Sequence, residues 1–105
     1  MTRFGLYGKI TAHPGEGDAL AECLLEAAEL LRDVADCELY VVSRSPNEAD
    51  TVWVTEVWSG QAAHAASLAS ESVEALIRRA LPLIAGAPER IETVPVGGKG
   101  LEDLG

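Results

Sequence analysis

Trp58 and His64 are the residues best placed to do chemistry, within the run Thr55-Glu56-Val57-Trp58-Ser59-Gly60-Gln61-Ala62-Ala63-His64. A β-type segment ends on the indole, and the alanine-rich segment behind it carries one of only two histidines in the chain. An indole combines a large apolar body with an N–H donor, and an imidazole titrates near neutral pH. Where a strand meets a helix, the pair suits the wall of a small-molecule pocket. The same two residues also fit a structural role, the Trp as core filler and the His as a satisfied helix residue. Tyr7 and Tyr40, on two other β-type runs, add apolar bodies with polar tips. The four together suit a flat aromatic ligand.

Other chemistries find little support. Gly97-Gly98-Lys99-Gly100 lacks the Lys-Ser/Thr pair of a phosphate loop and follows the last β-type run with no helix behind it. None of the serines sits in a Gly-x-Ser-x-Gly elbow, which argues against a hydrolase triad. Cys23 and Cys37 lie fourteen residues apart with no Cys-x-x-Cys arrangement, and His13 and His64 are equally isolated, so no metal-ligand spacing exists. Both cysteines read as buried thiols.

With 17 acidic and 8 basic side chains the net charge is −9, which repels phosphate backbones and anionic headgroups. Nucleic acid and membrane surfaces are therefore poor partners. The acids are scattered, as solubility alone would have them. No charged start leads into a long apolar run, and no segment approaches a membrane span, so a cytoplasmic location is expected.

A chain of 105 residues has material for one hydrophobic core, so residues 1–105 are read as a single domain. Phe4 to Thr11 reads as a strand, closed by the loop His13-Pro14-Gly15-Glu16-Gly17. From about Asp18 to Ala35, Leu20, Cys23, Leu24, Ala27, Leu30, Leu31 and Val34 keep the three-and-four spacing of one buried helix face. Cys37–Arg44 and Thr51–Trp58 form a hairpin around a polar turn. Ser59 is expected to cap a short helix over Ala62–Leu68, and Ser70-Glu71 to start another with Val73, Leu76, Ile77, Ala80 and Leu81 on one face. Pro82 disturbs that ladder, Arg90–Val96 is the last strand, and a flexible tail is expected from about residue 97 to 105.

The order βαββαβ predicts an α+β, ferredoxin-like sandwich, two helices covering one face of a four-stranded antiparallel sheet. Leu39-Tyr40-Val41-Val42 and Val52-Trp53-Val54 offer apolar groups to both sides of that sheet, where a single wet face would alternate. The uncovered face is therefore expected to pack against a second copy, giving a homodimer.

Strand order, length, the run Glu56-Val57-Trp58 before an Ala/His-rich helix, Ser67-Leu68-Ala69-Ser70, Val73-Glu74-Ala75-Leu76-Ile77 and the closing Glu92-Thr93-Val94-Pro95-Val96-Gly97-Gly98 resemble the antibiotic biosynthesis monooxygenase family, from about Leu6 to Gly98. These are dimeric α+β barrels that include quinol monooxygenases. The resemblance implies oxidation of a quinol-like or polyketide-type aromatic by molecular oxygen, with no metal, flavin or other cofactor. It matches Trp58 to the Trp that lines the family's pocket, where its N–H would meet a substrate oxygen, and leaves His64 as base. Many relatives carry their helix His further on, where this chain has Ser67 and Leu68, so His64 sits nearly a turn nearer the strand. Haem-degrading relatives use a first-strand Asn, and Tyr7-Gly8-Lys9 offers none. The alternative is a non-catalytic barrel of the same fold that binds or senses a small hydrophobic molecule.

Overall fold

The structure, a computed structural model, describes residues 2–101. Its elements are β1 (Phe4–Thr11), α1 (Gly17–Leu31), β2 (Cys37–Arg44), β3 (Thr51–Trp58), α2 (Gln61–Leu68), α3 (Glu71–Ala80), a 3-10 turn (Leu81–Leu83) and β4 (Glu89–Thr93). The strands form one antiparallel sheet in the order β2-β3-β1-β4, the ferredoxin-like arrangement expected. Residues 102–105 of the expected tail lie outside the described residues.

Side-chain parity along the strands decides what faces the helices. Phe4, Leu6, Ile10 and Ala12 of the first strand region join the core, as do Val52 and Trp58 of β3 and Tyr40 and Val42 of β2. From α1 come Leu20, Ala21, Cys23, Ala27 and Leu31, and from α3 Leu76 and Ala80. Residues of the other parity face away. Tyr7, Val41, Trp53 and Ile91 are all exposed there, and the Lys9 ammonium sits 5.7 Å over the Trp53 ring. The uncovered apolar face follows from strands that are apolar on both sides.

Several ends differ from the sequence expectation. The first helix stops at Leu31 instead of Ala35, because the Val34 N–H bonds Leu31 O and the Cys37 N–H bonds Val34 O, turning the chain directly into β2. Ser59 does not cap α2. Its hydroxyl and N–H both go to Asp36, and Gly60 takes the cap position with no side-chain bond. Ser70 does cap α3, accepting from the Val73 N–H. The last strand ends at Thr93, short of the expected Val96. Beyond it Pro95 lies so close over Gly5 that a Cβ there would come within 2.9 Å of it, and within 2.2 Å of Thr93 Oγ1.

The N-terminus of α1 is held by a residue distant in sequence. Glu16, at the cap position, makes no side-chain bond, and the Asp50 carboxylate accepts from the N–H groups of Gly15 and Gly17 instead. A side chain at Gly17 has no room, since its Cβ would sit 2.7 Å from the Ala49 carbonyl oxygen. Replacing Asp50 with Ala frees donors at the positive end of a helix dipole, and thermal denaturation should read a loss of about 1 kcal/mol.

Candidate active site between the sheet and the helices

Beneath the helices lies a cavity of about 110 Å³. Its walls are Cys23, Leu24, Ala27 and Leu31 of α1, Tyr40 of β2, Glu56 and Trp58 of β3, His64, Ser67 and Leu68 of α2, and Val73, Leu76, Ile77 and Ala80 of α3. Every element except β1, β4 and the 3-10 turn contributes. Helical spacing supplies the apolar walls and strand alternation supplies the polar floor.

The polar groups converge on Glu56 Oε1. The Trp58 indole N–H donates to it at 2.9 Å, and His64 Nε2 lies 3.9 Å away, too far for a hydrogen bond but within ion-pair range when the imidazole is protonated. The His64 ring is packed 5.0 Å from the Phe4 ring and edge-on to Trp58 at 5.5 Å between centroids. His64 is 7% exposed and Trp58 1%, so both are part of the packed interior as well as of the cavity wall. Ser67, one helical turn on, donates its hydroxyl to the His64 carbonyl and fixes that turn.

Tyr40 pairs with Glu56 across β2 and β3. Burial, reinforced by the Glu56 carboxylate, pushes its hydroxyl far above the usual phenol range, so at neutral pH it is an uncharged hydroxyl. Burial and the same carboxylate push the Cys37 thiol up to about 11, leaving it an unreactive thiol rather than a nucleophile.

Of the four residues singled out from sequence, the structure brings Trp58, His64 and Tyr40 together and leaves Tyr7 apart. Tyr7 pairs with Thr55 and Ile91 and is 44% exposed on the opposite face of the sheet, because its neighbour Leu6 takes the inward position. The Trp58 N–H, expected to be free for a substrate oxygen, is engaged by Glu56. Glu56 is the group that sequence reasoning passed over. Its signal lay in the alternation Val52, Val54, Glu56, Trp58, which places one carboxylate on an otherwise apolar inward face. Among the described residues no three His, Cys, Asp or Glu side chains come together as a metal set.

The sequence and fold match known proteins. The family model described as antibiotic biosynthesis monooxygenase matches residues 3–79. A Chloroflexus aurantiacus protein provisionally described as an antibiotic biosynthesis monooxygenase is 44% identical; the match covers 95% of this chain and 99% of that one with a TM-score of 0.86. A Caulobacter crescentus protein with the same provisional description is 21% identical over 91% of this chain and 92% of its own, at a TM-score of 0.83. A Pseudomonas aeruginosa protein is 22% identical over 92% of this chain and 97% of its own, at 0.82. The latter two likenesses are of fold alone. No match is found among curated proteins.

Proposed function

Because the chain belongs to the antibiotic biosynthesis monooxygenase family, we propose that it oxidises a quinol-like or polyketide-type aromatic with molecular oxygen, using neither metal nor organic cofactor. The observation that carries this reading is an apolar cavity in whose wall Trp58 and His64 converge on the Glu56 carboxyl group.

The apolar walls hold the ring, and neutral His64 accepts the phenolic proton, with the Glu56 carboxylate stabilising the imidazolium that forms. Trp58 holds that carboxylate in place through its N–H. The phenolate passes one electron to O₂, and the resulting radical pair combines at a ring carbon bearing hydrogen. Loss of that hydrogen as a proton breaks the O–O bond, leaving one oxygen as a quinone carbonyl and releasing the other as water. Water exclusion by the packed helices protects the anion before O₂ captures it.

Oxygen consumption with a panel of hydroquinones and anthrones tests the proposal. Uptake that survives chelators and needs no added flavin or nicotinamide is expected; a requirement for a copurifying flavin or haem overturns it. The second reading, a barrel that binds or senses a small hydrophobic molecule, is favoured by the Trp58 N–H being already bonded. Tight binding without oxygen uptake would establish that reading instead.

A homodimer in the cytoplasm completes the proposal. Among the described residues no helix is long and apolar enough to cross a membrane. Tyr7, Val41, Trp53 and Ile91 form an apolar surface on the uncovered sheet face, and covering it with a second copy removes that area from water. Sedimentation equilibrium at micromolar concentration should give twice the 11.1 kDa chain mass. A well-folded monomer would sink the dimer.

A further inference from the structure

We infer that Glu56 is the specificity-determining residue of the cavity and that the ligand it selects is a single-ring hydroxyarene without an anionic group, a hydroquinone-type molecule rather than a carboxylated or tricyclic one. This rests on the cavity being a substrate site, as proposed above, and adds which aromatic enters it.

Size sets the first limit. The cavity of about 110 Å³ is no larger than the roughly 150 Å³ apolar cavity known to accept one benzene ring, so it has room for one ring at most. A fused three-ring ligand needs the walls to part, and those walls include the buried Leu76 and Leu31.

Charge sets the second. No Lys or Arg lines the cavity, and its one carboxylate belongs to Glu56. Its Oε1 is occupied by the Trp58 N–H, and among the described residues no protein group donates to Oε2. That oxygen has acceptor capacity left, so a ligand hydroxyl directed at it gains a charge-assisted hydrogen bond. A ligand carboxylate brought to the same place meets like charge across a low-dielectric cavity and loses its hydration with no Lys or Arg to pair with it. Tyr40, uncharged and opposite Glu56 across the strand pair, adds a hydroxyl that can both give and accept a hydrogen bond without adding charge.

The test is anaerobic calorimetry on the full chain with three probes: hydroquinone, 4-hydroxybenzoate and anthrone. Hydroquinone should bind at least about tenfold more tightly than 4-hydroxybenzoate, and more tightly than anthrone. In Glu56→Gln the gap between hydroquinone and 4-hydroxybenzoate should close to about threefold or less, because the repulsive charge is gone while the volume is kept. Equal affinity of the wild type for hydroquinone and 4-hydroxybenzoate overturns the role of Glu56. Tighter binding of anthrone overturns the size limit. The wild-type ranking needs no variant, so a poorly folded Glu56→Gln protein does not spare the inference. Excluding oxygen separates this outcome from turnover: oxygen uptake with the wrong ranking leaves the oxidation reading standing and removes this one, and the right ranking without uptake does the reverse.

Discussion

Trp58→Ala should cost about 3–5 kcal/mol of folding stability, among the largest losses any single substitution in this chain would bring. Trp58 is 1% exposed and is the largest fully buried side chain, packed with Phe4, Leu6 and Leu31 where β1, β3 and α1 meet. Truncation leaves a void that these neighbours, fixed to the sheet and to a helix, fill only in part. It also strips the Glu56 carboxylate of its indole donor, which adds the cost of a nearly buried anion with one partner fewer. For a domain of this length such a loss lowers the melting temperature by roughly 15–30 °C. Trp58→Phe keeps most of the volume and removes the N–H, so it should cost far less, about 1–2 kcal/mol, while releasing Glu56. Thermal unfolding followed by circular dichroism reads both variants. A loss under about 1 kcal/mol for Trp58→Ala would mean that the strand end collapses around the gap and that the indole is not a keystone of the core.

What the sequence disclosed and what it withheld divide along one physical line. The face of α1 was legible because Leu20, Cys23, Leu24 and Ala27 repeat at helical spacing, a local property of the chain. Its end was not, because Arg32 and Asp33 are compatible with a longer helix and only the turn into β2 stops it. Ser59 is a good capping residue by type, yet the Asp36 carboxylate, far off in sequence, competes for its hydroxyl and wins. Strand parity was the hardest to read. A strand apolar on both faces carries no alternation to say which set turns inward, and so Tyr7 was grouped with Tyr40 although the two lie on opposite faces of the sheet. The same ambiguity hid Glu56, whose inward position follows once Trp58 is known to be buried two residues on. Trp58 and His64 themselves were legible because a strand-to-helix junction brings them together within a single short segment.

His64→Ala should lower kcat on a responsive quinol by about a hundredfold or more, the usual contribution of a positioned general base. The imidazole is buried in the cavity wall 3.9 Å from a carboxylate, an arrangement in which the imidazolium formed on proton transfer is stabilised without any movement of the protein. Because His64 also packs on Phe4 and Trp58, the Ala variant leaves a gap, and a rate loss alone would not distinguish chemistry from packing. His64→Gln fills much of that gap but cannot take up a proton at neutral pH. If the imidazole is the base, Gln should be nearly as slow as Ala while its melting temperature stays closer to that of the wild type. Wild-type turnover by His64→Gln would retire His64 as the base and leave Glu56 and Tyr40 as the polar groups that the substrate meets.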